Sequence, residues 1–254
     1  MNPLERIGLE AYRALYRDRA VEVAPGVVSL CAPEAPGSPM LNRVVGLGVD
    51  RPATEEDVDA AIDAMGDAVF YVAVSPEAGP EELPTWLAAR GLEPGWGWMQ
   101  FERGPEEPPP VQTELDLRET GPERVDAFAR IQRIAYGLSE AAERWLRTAF
   151  GTPGWTFWLG FADGEPATAA GLYVEGDVCY LGLAATLPEH RGKGGQGAML
   201  ATRIERAREL GCTLLVTETG EQRPDRPSSS YRNLLRFGFR ESHAVANWLR
   251  KPSS

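Results

Sequence analysis

The stretch LAATLPEHRGKGGQGAMLATRIERARELGCTLLVTETG, residues 183–220, decides how this chain is read. It joins a strand of small residues, a basic glycine-rich loop, a helix closed by Gly211 and a second strand that ends near Glu218. The first-turn amides of a helix have no internal partners and carry the positive end of its dipole. Gly192, Gly194 and Gly195 let the loop backbone come close to an anion, and Arg191 and Lys193 add charge. A diphosphate matches such a cradle. The small side chains of Gly182, Ala184 and Ala185 suit a strand approached by an extended molecule, though a strand packed under a helix reads the same way.

Several folds build phosphate loops. Gly192, Gly194 and Gly197 satisfy G-x-G-x-x-G, and Glu218 ends the next strand, as a dinucleotide-binding unit would show. Two features speak against that reading. The segment PEHR, Pro188 to Arg191, separates the glycines from the strand, and the text before it is punctuated like antiparallel hairpins, at Asp163-Gly164 and Glu175-Gly176-Asp177. A Walker A loop is excluded because no G-K-[ST] occurs.

The stretch closely resembles motif A of the GNAT superfamily of N-acetyltransferases, [QR]-x-x-G-x-[GA] opening a helix after a strand that ends near a proline. Arg191, Gly192, Lys193, Gly194 and Gly195 fill the first five places, Gln196 departs from the sixth, and Gly197 follows. The order of elements from Leu115 onward and the ending LLRFGF are also similar to the family. The resemblance implies an α/β fold, with a central mixed, mostly antiparallel sheet flanked by helices. It implies acetyl-CoA as cosubstrate, its diphosphate on Arg191 to Gly197 and its pantetheine arm along Ala184, Ala185 and Thr186. A main-chain amide of that strand would receive the oxyanion, and Asn233 would reach coenzyme A. The family often places a tyrosine acid four residues before the Gly of Gly-Phe; that place is Leu234 here, so Tyr231 is the nearest substitute. Glu218, at the strand end where the cleft would open, is the candidate base. A packed aromatic and a solvated carboxylate are the plainer readings of Tyr231 and Glu218, and a surface asparagine that of Asn233.

The chain has 254 residues, 43% hydrophobic and 25% charged, which allows one large domain or two modest ones. The clearest break is RGPEEPPPVQTE, residues 103–114, too rich in proline for a helix or inner strand. The reading is two tandem GNAT-like domains, 1–110 and 111–254. In the second, Val125, Phe128, Ile131 and Ile134 recur at helical spacing, and Ser139 caps a further helix. In the first, NRVVGLGV, ATEEDVDAAIDAMG, VFYVAVSP, GPEELPTWLAARG and GWGWMQFER repeat the strand, helix, strand, helix, strand order of residues 183–250. Where the second has its glycine loop, the first has DRPAT, which cannot align several free amides. It would have lost its own site, and would now shape the acceptor cleft or replace a dimer partner.

A formal net charge of -11 disfavours nucleic acid and anionic membranes as partners and mildly favours a cationic amine, from a small molecule or a peptide. Three cysteines without a C-x-x-C pair, and two histidines, His190 and His243, without ligand spacing, indicate no disulfide framework and no metal. The amino terminus lacks the apolar centre of a signal peptide, so the expected setting is cytoplasmic, as a monomer or homodimer. The rival to an N-acetyltransferase is a non-catalytic coenzyme A-binding or regulatory module.

Overall fold

The computed structural model describes residues 1–223 and 228–251. They divide into two compact units. Met1–Met99, with the chain from His243 onward, forms the first; Gln100–Ser242 forms the second.

The first unit opens with α1 (Pro3–Tyr16), β1 (Ala20–Ala24), β2 (Val27–Leu30) and β3 (Arg43–Val45). It continues with α2 (Glu55–Asp63), β4 (Phe70–Val74), α3 (Leu83–Ala89) and β5 (Leu92–Pro94). The chain leaves through β6 (Trp98–Arg103). The second unit then carries β7 (Asp116–Thr120), α4 (Val125–Tyr136), α5 (Glu140–Leu146), β8 (Trp155–Ala162), β9 (Glu165–Glu175) and β10 (Val178–Thr186). After them come α6 (Gly195–Glu209), β11 (Leu214–Gly220), α7 (Ser229–Arg236) and β12 (Arg240–Arg250), which returns the chain to the first unit.

Both units follow one plan. In the first, β1, β2 and β3 pair antiparallel, then α2 crosses over so that β3 and β4 run parallel. In the second, β7 to β10 pair antiparallel, and the crossover through α6 sets β11 parallel to β10. A crossover helix packed on its sheet needs one apolar face. α6 supplies Ala198, Met199, Ile204 and Ala207, and α2 supplies Val58 and Ala61. Val44, Leu47, Phe70, Val72 and Leu87 build the first core.

Sequence and structure part company in three places. The division falls at Met99/Gln100, ahead of the expected 110/111, and β12 pairs with β4 and β5 of the first unit. The proline-rich stretch reads as a linker by composition, yet it is anchored within the second unit. Arg103 is buried and donates to the carbonyls of Phe237 and Glu106, and the Gln112 carbonyl lies beside Gly194. Finally, α1 and the β1–β2 hairpin have no counterpart in the sequence reading. The buried Leu4, Ile7, Ala11 and Leu15 stand at helical spacing within a charged segment, and Asn2 caps the start by accepting from the Leu4 amide.

Candidate active site

The site grows from a local failure of strand pairing. β10 and β11 are in register only from Val178↔Leu214 to Tyr180↔Val216, and past that point the two strands have no paired residues. On the other edge, Gly182 faces Gly171 and Ala185 faces Ala169, so Leu183 and Ala184 together oppose one residue, Ala170. That is a β-bulge. Leu183 has φ 52°, a left-handed conformation seldom taken by a bulky side chain.

Side chains replace the missing ladder. Six consecutive carbonyls accept from them: Leu181 from Thr217 (2.7 Å), Gly182 from Arg203 (3.3 Å) and Leu183 from Gln132 (2.5 Å). Ala184 accepts from Tyr136 (2.6 Å), Ala185 from Thr168 (2.8 Å) and Thr186 from Arg191 (3.4 Å). Arg203 is 1% exposed and also donates to the carbonyls of Met199 and Gly171. Burial pulls its pKa down to about 10, which still leaves a cation at neutral pH.

Beyond β10 the chain turns through Pro188–His190 into the glycine loop. Gly192 and Gly194 both have φ 79°. Gly194 tolerates no side chain on steric grounds either, because a Cβ there would lie 2.7 Å from the Gln112 carbonyl oxygen. The first hydrogen bond of α6 is from the Ala198 amide to the Gly194 carbonyl, and no side chain caps the helix. Among the described residues, the amides of Gly192 to Gly197 have no partner. Of these residues, Gly192, Gly194, Gly195, Gln196 and Gly197 line a cleft of about 570 Å³.

Ten of the eleven residues expected to hold the cosubstrate line that cleft: Ala184, Ala185, Thr186, Arg191, Gly192, Gly194, Gly195, Gln196, Gly197 and Asn233. Lys193 is exposed and does not line it. Gln196, the departure from the motif, has a structural explanation: its amide nitrogen donates to Ser230 (2.9 Å) and its oxygen accepts from Asn233 (2.7 Å). It ties α6 to α7.

The two catalytic candidates lie elsewhere in the second unit. Neither lines the cleft. Glu218 on β11 accepts from Gln100 at 2.9 Å. The buried Tyr231 hydroxyl donates to Glu241 at 2.6 Å. Burial, and next the bond to Glu241, push the phenol up to about 12. Tyr231 is thus engaged with Glu241 and stands outside the cleft lining, and its acid role stays an expectation.

Sequence reasoning missed Tyr136, His190 and Arg236 as wall residues. The His190 Nδ1 is buried without a partner among the described residues. Arg236 was visible only as a cation on an amphipathic helix. In the structure its guanidinium sits over the Phe237 ring and near Gly197.

Residues 124–239 match the acetyltransferase (GNAT) family model. This segment is a GNAT domain. Solved structures share the fold over the whole chain. One is a GCN5-related N-acetyltransferase from Kribbella flavida, with TM-score 0.67 and 20% identity, covering 100% of this chain and 97% of that one. Another is a GNAT-family acetyltransferase from Novosphingobium aromaticivorans, with TM-score 0.63, 16% identity and 100% of both chains covered. A tandem GNAT protein from the clavulanic acid biosynthesis pathway aligns with TM-score 0.60 and 17% identity, over 100% of this chain and 97% of that one. Likeness at these identities is one of fold. No curated protein matches the sequence significantly.

At the matching place in the first unit, the start of α2 is closed by its own capping box. Thr54 Oγ1 accepts from the Asp57 amide, and the Asp57 carboxylate accepts from the Thr54 amide. Arg51 grips the same carboxylate twice at 2.8 Å and holds its carboxyl below the usual range. The carboxylate stands where α6 leaves its amides open.

Among the described residues there is no group of three or more potential metal ligands, and no helix is long and apolar enough to cross a membrane.

Proposed function

We propose that the second unit moves an acetyl group from acetyl-coenzyme A to a primary amine of a small molecule or peptide. The family and fold support acyl transfer in general. The observation that carries the finer reading is the run of unpartnered amides from Gly192 to Gly197 beside the bulge of β10. The amides and the α6 dipole take the diphosphate, the Arg191 guanidinium adds charge, and the pantetheine arm lies along Ala184 to Thr186.

The thioester carbonyl then meets an amide of the bulge. A neutral amine attacks this carbon, the carbonyl electrons move onto oxygen, and the tetrahedral species collapses by breaking the C–S bond. The amine loses one proton, and the departing sulfur gains one. Glu218, held at one oxygen by Gln100, is the base that receives the amine proton in this reading. The net charge of -11 fits a cationic acceptor and a cytoplasmic protein that avoids nucleic acid and anionic membranes.

A second reading, a coenzyme A-binding module without chemistry, draws on Leu234 at the family's tyrosine position and on the engagement of Tyr231 with Glu241. One experiment separates them. Coenzyme A raises the melting temperature in both readings, and Arg191→Glu combined with Gly194→Glu abolishes the rise. Release of free thiol from acetyl-coenzyme A in the presence of amines, peptides or aminoglycosides is expected of the enzyme alone. No thiol release across the panel, with binding intact, selects the module; no thermal shift in the wild-type protein rejects both.

A further inference from the structure

α4 buries Phe128, Ala129, Ile131 and Gln132. Three of these are what an amphipathic helix needs. The fourth is a polar side chain 1% exposed, at a place where a leucine or methionine would fill the space without desolvating an amide. Its Nε2 finds one partner, the Leu183 carbonyl in the bulge.

That partner decides what Gln132 does. A trans peptide sets its C=O and N–H in opposite directions, so whatever holds the Leu183 oxygen also aims the Ala184 amide. Ala184 lines the cleft and Gln132 does not. Regular strands fix their peptide planes through the ladder, and here the register is broken between Gly182 and Ala185. Side chains take over: Arg203 holds the plane before, through the Gly182 oxygen, and Tyr136 the plane after, through the Ala184 oxygen. Gln132 and Tyr136 stand four residues apart on one helix face, the spacing needed to reach neighbouring carbonyls.

We infer that Gln132 is a positioning residue, which turns the Ala184 amide toward the cleft as the donor for the thioester oxygen. The inference rests on the acetyl-transfer reading above. Donors that stabilise an oxyanion act because they are aimed before charge develops, so a donor free to swivel loses most of its value. Gln132 fixes that aim from outside the cleft.

The test uses the full chain with acetyl-coenzyme A labelled with carbon-13 at the thioester carbonyl. Isotope-edited infrared spectra, steady-state kinetics and melting temperatures are compared for wild type, Gln132→Met and Gln132→Asn. Methionine matches the volume without a donor, and asparagine keeps the amide one methylene short of its mark.

In the wild type the bound carbonyl band is expected below its position in free acetyl-coenzyme A. Both variants should keep the donor-induced thermal shift and the donor KM, lose about 10- to 100-fold in kcat, and return the band toward the free value. Wild-type kcat and band position in the variants would overturn the inference. So would a fall in kcat without movement of the band, or the failure of both variants to fold, since each assigns Gln132 a merely structural part. If wild-type protein neither binds nor turns over acetyl-coenzyme A, the acetyl-transfer reading falls first, and the role of Gln132 with it.

Discussion

Tyr231 shows how one hydrogen bond can redirect a residue's meaning. Its position, three residues before Leu234, made it the substitute for an expected acid, while its hydroxyl is spent on Glu241. Removing that donor in Tyr231→Phe should cost about 1–3 kcal/mol, because the Glu241 carboxylate loses a charge-assisted partner. The folded-state phenol lies at about 12, above the ordinary 10. Its contribution is therefore complete below pH 10 and disappears as pH rises from 10 to 12. Wild type should lose stability over that window more steeply than Tyr231→Phe, as read from urea midpoints at pH 9 and 11.5, and thiol release by the variant should persist. Residue identity alone marks the loop's backbone, since Gly192 and Gly194 take positive φ and a Cβ at Gly194 would meet the Gln112 carbonyl. It could not carry Gln132 or Tyr136. Their partners lie 51 and 48 residues away, at carbonyls that no sequence pattern marks.

At the level of elements, periodicity was a good guide and irregularity was invisible. The helices α2, α4, α5 and α6 lie where the sequence reading puts them, and Ser139 caps α5 as expected by accepting from the Ala142 amide. The bulge in β10 has no such signature, because Leu183 adopts a left-handed φ against its own preference and is held there by its surroundings. Nor does the motif explain Gln196, whose two-ended bond joins α6 to α7. Gln196→Ala should release Asn233 and Ser230, lower stability by about 1–2 kcal/mol and shrink the thermal shift given by coenzyme A. An unchanged shift in differential scanning fluorimetry would mean that α7 holds its place without this tie.

The molecule as a whole repeats one supersecondary plan and equips only one copy. The two helix starts differ in a single respect that matters chemically: α2 is capped by Thr54 and the Asp57 carboxylate, and α6 has no side-chain cap after Gly194. The repeat itself was legible, because both copies carry the same alternation of strand and helix. The true partition was not, because pairing of β12 with β4 joins residues far apart in the chain. Truncation after Ser242 should abolish the cooperative unfolding transition of the first unit and leave coenzyme A-induced stabilisation of the second. Calorimetry with and without coenzyme A checks both halves of that expectation.

The same return of the chain sets an order of events on the ribosome. Synthesis proceeds from the amino terminus, and domains ordinarily fold as they emerge. Here the first-made portion waits for Ala246 to Arg250 before β4 and β5 gain their neighbour, long after α6 and β11 have been made. Throughout that interval the β4 edge stays unpaired and open to wrong partners. The portion made first is thus the one whose sheet is completed last.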